Sequence, residues 1–183
     1  MHDYIKRHLK KFHPIKEIQN FIITKRPYEK VTDFETILLT EFNWGTNPRG
    51  IDETYLEQRF KLFDKYTFPS INSQSDKDFV WILYLNDKTP QRFKDMLEEY
   101  KEQATMKKMI LAYVDSNNYY PLYGNVVRKF YEVKRKWLLS CRCDNDDILA
   151  NNYIEEMKKN FRPVHNMYID FIYGYNYDVF SNS

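Results

Sequence analysis

The stretch Trp137-Leu138-Leu139-Ser140-Cys141-Arg142-Cys143-Asp144-Asn145-Asp146-Asp147-Ile148-Leu149 breaks abruptly from an apolar run into a block of carboxylates. Its first seven residues have the length of a strand buried on both faces, and the residues from Ile148 onward carry helical spacing. The acids therefore fall at a predicted strand-to-helix junction. In open α/β sheets such junctions are where ligands bind, because the loops at the carboxyl ends of the strands frame a crevice. Asp144, Asp146 and Asp147 suit a hard divalent cation such as Mg²⁺ or Mn²⁺, which one or two carboxylates hold while substrate phosphates complete the shell. The ligand so implied is a nucleoside diphosphate conjugate. The same block also reads as a helix cap, since Asp and Asn favour N-caps and acids are stabilised near the positive end of a helix. A calcium EF-hand fits poorly: with Asp144 as loop position one, Leu149 stands where the sharp-turn glycine belongs.

Upstream of this block, strand and helix patterns alternate. Residues 36–42 are a β-rich run, followed by a loop with Gly45, Pro48 and Gly50. Asp52 caps a helix with Leu56, Phe60 and Phe63 on one face, which Pro69 interrupts. Residues 79–85 are apolar at successive positions, the mark of a central parallel strand, and end at Asn86 and Asp87. Thr89 caps and Pro90 opens a second helix to about Gln103, and residues 109–114 form a third strand ending at Asp115. Val126, Phe130 and Val133 give a third helix its inner face. Beyond the acid block, Tyr153, Met157 and Phe161 line a fourth helix, and residues 167–173 offer a fifth strand.

This order predicts an α/β fold, a doubly wound, mainly parallel, Rossmann-like sheet flanked by helices and joined by right-handed crossovers. Three strand ends converge with carboxylates or amides: Glu41 with Asn43, Asn86 with Asp87, and the acid block. Each alone reads as turn chemistry. Together they describe a nucleotide crevice. The chain has no Gly-rich phosphate loop, so a diphosphate is expected to be neutralised by metal and side chains rather than by a nest of backbone amides.

At 183 residues, 43% hydrophobic and a formal net charge of +2, the chain suits one domain with a sizeable core and gives no global push toward nucleic acid. Residues 1–14 are charged throughout and lack the apolar stretch of a secretory signal. No later segment approaches the roughly 20 apolar residues of a membrane span. A cytoplasmic location with no membrane span is the expectation. The only cysteines, Cys141 and Cys143, point to one side of the proposed strand, which suits packed free thiols better than a disulfide. Within residues 1–33, Lys and Arg outnumber Asp and Glu by eight to four. That segment reads as a basic N-terminal extension, in which Ile15, Ile18, Phe21 and Ile22 have helical spacing. Residues 34–183 read as the nucleotide-binding domain.

Five phrases then occur in order: Arg59-Phe60-Lys61-Leu62-Phe63, Pro69-Ser70-Ile71-Asn72-Ser73-Gln74, Phe79-Val80-Trp81-Ile82-Leu83, Thr89-Pro90 and Arg142-Cys143-Asp144-Asn145-Asp146-Asp147. This ordered set resembles the putative rhamnosyltransferase family, over about residues 37–177. That family looks like a branch of the GT-A glycosyltransferases, similar to glycosyltransferase family 2, in which an Asp-x-Asp element binds a divalent metal and a nucleotide sugar.

The resemblance implies a GT-A-like fold and a metal-dependent glycosyltransferase with Mn²⁺ or Mg²⁺ as cofactor. It would move a sugar, rhamnose by the family's name, from a UDP-, dTDP- or GDP-sugar donor to a glycan or other hydroxyl acceptor. Asp146 and Asp147 then lie nearest the metal, with Asp144, Asp146 and Arg142 among the donor contacts. Asp87 matches a contact to the nucleotide base, and Thr40 and Asn43 close the first strand over the same pocket. Glu41 departs from the family, which usually carries a basic residue there. Family members also continue well beyond the 36 residues that follow Asp147 in this chain, into the region that binds acceptor and usually supplies the catalytic base. Asp170 and Asp178 are the late carboxylates, and Asp170 is the expected base. The alternative is a non-catalytic nucleotide-sugar or glycan-binding domain, truncated or part of a larger assembly.

Overall fold

The computed structural model describes residues 31–44, 49–115, 123–171 and 174. The chain divides into two units, Met1–Val31 and Thr32–Ser183, and the sheet and its helices belong to the second. The expected helix around Ile15 to Ile22, the loop residues Gly45 and Pro48, the end of the expected fifth strand and Asp178 lie outside the described residues.

Four strands, β1 (Phe34–Glu41), β2 (Val80–Asn86), β3 (Lys108–Val114) and β4 (Trp137–Arg142), form one parallel sheet in the order β3-β2-β1-β4. Every residue of β2 is buried, as its unbroken apolar run requires of a strand covered on both faces. On one face, Leu38, Trp81, Leu83 and Leu139 pack against helices α1 (Glu53–Leu62), α2 (Phe68–Asn72), α3 (Gln91–Gln103) and α5 (Tyr153–Asn160), which contribute Phe60, Ile71, Phe93 and Met157 among others. On the other, Ile37, Ile82 and Ile110 meet Val126 and Val127 of α4 (Tyr123–Phe130). Burying one such side chain stabilises the fold by about 1.5–3 kcal/mol. From β1 to β2 to β3 the sheet grows one way, with the crossover helices on the first face. The chain then returns past β1 to β4, and α4 lies on the opposite face, as a constant crossover hand demands. That reversal places the topological switch between β1 and β4.

Several local expectations are corrected. β4 is an edge strand, with Leu139 and Cys141 buried but Leu138, Ser140 and Arg142 exposed. Its apolar run mimics a central strand, yet strand order gives it one neighbour. The acids do not cap a helix, because residues 143–152 form a loop and α5 starts only at Tyr153. The amide of Ile154 is instead bonded at 3.0 Å by the carboxamide oxygen of Gln74, whose Nε2 donates to the carbonyl of Ala150 at 2.7 Å. That distant side chain satisfies the helix start and makes a local cap unnecessary.

Pro69 does not interrupt its helix. A π-helical turn, Phe63–Thr67, carries α1 into α2 with Pro69 as the second residue of α2, and the backbone at Thr67 and Phe68 stays helical up to the proline. Thr89 is drawn inward rather than capping α3: its hydroxyl donates to the Asn86 carbonyl at 2.6 Å and accepts from Asn43 at 2.9 Å, and Pro90 stands at the cap position. Val133 and Phe161 follow their helices instead of lying within them, and Phe161 packs on Phe34 with ring centroids 4.4 Å apart. Residues 167–171 have no regular structure where a fifth strand was expected. Asp52 behaves as read, its carboxylate accepting from the Tyr55 amide at 2.8 Å.

Candidate functional site

Where strand order reverses, the loops leaving the two neighbouring strands part and open a crevice beyond their carboxyl ends. The loop after β4 is fastened into that position by Asn145. This side chain is 2% exposed, and its Nδ2 donates to the carbonyl of Phe42, just beyond β1, at 2.7 Å. The backbone continues the sheet one step further, with Cys143 N bonded to Leu39 O at 3.0 Å. Arg59 of α1 approaches from the helix layer, held beside the buried Phe60. Its guanidinium forks onto Asp146, with contacts of 2.9 and 2.8 Å to the two carboxylate oxygens, and also donates to the side-chain oxygen of Asn145. Such two-pronged, charge-assisted pairing fixes orientation as well as distance. Arg142 grips Asp144 through Nε at 2.9 Å and a terminal nitrogen at 2.7 Å. Asp147 closes the turn, its amide on the Asp144 carbonyl at 3.2 Å and its carboxylate 3.3 Å from the Asp144 amide.

The donor set is all oxygen, which fits a hard divalent cation. Among the described residues, however, no three of His, Cys, Asp and Glu gather as a complete metal cage. Asp144 and Asp146 each carry a guanidinium, from Arg142 and Arg59. Cys143 adds no soft ligand: burial, then the charge of Asp147, pushes its thiol well up, and burial pushes Cys141 up to about 12. Both remain neutral, free thiols, as expected of packed cysteines.

The other expected site residues are distributed as follows. Thr40 is fully buried among the helix-facing residues, and its hydroxyl accepts from the Trp81 indole at 2.9 Å. Asn43, also fully buried, donates to the Gly50 carbonyl at 2.7 Å and accepts from the Asn86 amide at 3.1 Å. Both thereby brace the ends of β1 and β2 beneath the crevice. Asp87 is exposed at the end of β2, its amide on the Val114 carbonyl at 3.1 Å. Asp170 is exposed on the irregular segment after α5, and no hydrogen bond or ion pair among the described residues joins it to the acid loop. An open depression of about 910 Å³, lined by Arg49, Asp52, Tyr55 and Gln58, lies on α1. Tyr55 is one helical turn before Arg59, which makes the two neighbours on the helix surface. A second cavity, about 290 Å³, lies beside β4 and includes Ser140, His165 and Asn166.

The family model described as "Putative rhamnosyl transferase" matches residues 50–177, more than half of the chain. The chain belongs to this family. No curated protein and no solved structure is a match. The family's description is that of a glycosyltransferase, which implies a nucleotide-sugar donor and an acceptor. Its matched span contains Arg59, Asp87 and the whole loop from Asp144 to Asp147, while Thr40 and Asn43 precede it. Among the described residues, no helix of this family member is long and apolar enough to cross a membrane.

Two members of the site escaped sequence reasoning. Arg59 stands in the first phrase of the family resemblance without a role, and Asn145 stands inside the acid block as the one residue that is not an acid. Amide among acids was the available signal. Nothing local pairs it with Phe42 or Arg59, which lie 103 and 86 residues away.

Proposed function

We infer that the chain is a metal-dependent glycosyltransferase that takes the diphosphate of a nucleotide-sugar donor at residues 143–147 and delivers the sugar to a hydroxyl acceptor such as a glycan. Rhamnose is the sugar to which the family's name points. The observation that carries this reading is the seating of the acid loop at the switch between β1 and β4, fastened there by Asn145. Asp146 and Asp147 would hold Mn²⁺ or Mg²⁺. When bound, that ion supplies positive charge to the departing nucleoside diphosphate.

The chain's own residues supply the rest. Asp144 and Arg142 flank the diphosphate side of the loop, and Asp87 offers a carboxylate to the base or ribose. β2 and β4 are separated by one strand, about 10 Å across the sheet, so Asp87 and the acid loop leave the sheet on either side of β1. Transfer also requires a proton to leave the attacking hydroxyl. Asp170 is the carboxylate of the late segment assigned to that step, and Asp170→Asn should lower kcat by about 10²–10⁴ with donor affinity unchanged. An unaltered kcat removes it from the reaction.

The reading is tested by following nucleoside diphosphate release from UDP-, dTDP- and GDP-sugars, with and without Mn²⁺. Release from at least one donor, dependent on metal, is the expected result. The exposed position of Asp170, unjoined to the loop, favours one alternative: a domain that binds nucleotide sugar without transferring it. Saturable donor binding with no release, whatever acceptor is offered, would establish that alternative.

A further inference from the structure

Arg59 is the feature of the site that neither the Asp-x-Asp pattern nor the fold accounts for. Its guanidinium is committed at once to both oxygens of Asp146 and to the side chain of Asn145. Asn145 has its own second anchor on the Phe42 carbonyl, so it can keep the loop seated without the guanidinium. Asp146, 43% exposed, is a different case. A divalent cation drawn to its carboxylate takes electron density and position from the same two oxygens that the Arg59 fork occupies. The cation and the guanidinium therefore compete for Asp146, and binding metal alone leaves a positive fork, 19% exposed, facing a second positive charge.

A diphosphate resolves that conflict. Its oxygens have the charge and planar spacing that an arginine fork accepts, and they also complete the cation's shell. Resting on the metal and diphosphate reading of the acid loop, we propose that Arg59 is an exchange residue: it pairs with Asp146 in the empty site and with the donor's diphosphate once a divalent cation takes Asp146. Metal and diphosphate then bind together, because each removes the cost that the other incurs alone. The depression lined by Arg49, Tyr55 and Gln58 lies about one helical turn ahead of Arg59 on α1. No covalent step is involved, and the charge that leaves Asp146 is replaced by that of the cation.

Calorimetric titration with Mn²⁺ alone, inorganic pyrophosphate alone, and pyrophosphate in the presence of Mn²⁺ tests this on the full chain. Coupling between ligands is typically about 5–150-fold, and for the wild type Mn²⁺ should tighten pyrophosphate by about tenfold or more. In Arg59→Gln, which keeps a donor for Asn145 but no charge, the coupling should fall below about threefold while Mn²⁺ alone binds more tightly than in wild type. Asp146→Asn, at an exposed position and so tolerated by the fold, releases the fork, and pyrophosphate without metal should then bind more tightly than in wild type. An anchor that merely held the loop would leave the coupling of Arg59→Gln at the wild-type value. Loss of a negative charge alone would strengthen pyrophosphate in Asp147→Asn as much as in Asp146→Asn, whereas release of the fork strengthens it in Asp146→Asn above all. Thermal melting confirms that each variant is folded, and the Asp146→Asn arm decides alone should Arg59→Gln not fold. Retained coupling in folded Arg59→Gln, or no gain of pyrophosphate affinity in Asp146→Asn beyond that of Asp147→Asn, overturns the exchange role while the coupled wild type leaves the metal site standing. A wild type that shows no Mn²⁺ effect on pyrophosphate overturns both.

Discussion

Asn145 and Glu35 are buried polar side chains at opposite ends of the sheet, and each holds elements together that are far apart in sequence. Asn145→Ala would leave the Phe42 carbonyl without its side-chain partner in a site 2% exposed, and would take from an Arg59 terminal nitrogen one of the two acceptors it has in Asn145 and Asp146. Removing one side of a buried hydrogen bond costs about 1–3 kcal/mol, which should appear as a lower urea midpoint with the slope unchanged. Glu35 is 6% exposed and receives Tyr131 Oη–H, the Lys134 amide at 3.1 Å and Lys107 Nζ at 3.2 Å. Burial raises its pKa, but the bonds from Tyr131, Lys134 and Lys107 together outweigh burial and hold it below the ordinary carboxylate value. A group depressed in the folded state stabilises fully above its unfolded pKa, about 4.3 for Glu, and that contribution disappears as pH falls through the folded value. Wild type should therefore lose stability below about pH 4.3 with a component absent from Glu35→Gln, measured by urea unfolding across pH 3–7. Tyr131 keeps its proton throughout, since burial and then Glu35 push its hydroxyl up to about 12. Local chemistry such as the Asp52 cap is legible in sequence because donor and acceptor are three residues apart. The Arg59 fork on Asp146 spans 87 residues, and only the packing of α1 against the sheet brings the two together.

β4 shows where pattern reading stops. Trp137-Leu138-Leu139 has the apolar density of a central strand, but density does not say how many neighbours a strand has. In the edge position Leu138 is 42% exposed and Leu139 is 7% exposed, so the two adjacent leucines should differ sharply. Leu139→Ala should cost about 2–4 kcal/mol through lost burial and the cavity it leaves, and Leu138→Ala under about 1 kcal/mol, both by chemical denaturation. Equal losses would mean that something covers the open face of β4. The same element explains the acid loop. Helical spacing is present from Ile148, yet Gln74 captures Ala150 and Ile154 from across the helix layer and delays α5 to Tyr153. β1, β2 and β3 were legible because the clusters on the two faces of the sheet bury their apolar runs, whatever the details of their loops. The passage through Pro69 was not, because a π-helical turn has no sequence period of its own.

The whole sheet divides its two ends between tasks. At the amino ends of the strands, Glu35 draws in Lys107 and Tyr131, while Lys158 of α5 pairs with Asp76 at 2.8 Å ahead of β2. These ties stabilise the layers and face away from the crevice. At the carboxyl ends lie Asn43, Asp87, Arg59 and the loop from Asp144 to Asp147, gathered by the reversal of strand order between β1 and β4. Alternating strand and helix patterns in the sequence imply that reversal in kind, since a doubly wound sheet must turn back somewhere. They do not say beside which strand, and so the crevice becomes specific only with the order β3-β2-β1-β4. The central claim is that this crevice binds a divalent cation jointly with a diphosphate. Its most direct test is anomalous diffraction at the manganese edge from crystals grown with Mn²⁺ and a nucleoside diphosphate. The prediction is one Mn²⁺ peak within coordination distance of Asp146 or Asp147 and of diphosphate oxygens, lost in crystals of Asp146→Asn combined with Asp147→Asn. A nucleotide seated with its diphosphate away from residues 143–147, or manganese bound elsewhere, would contradict it.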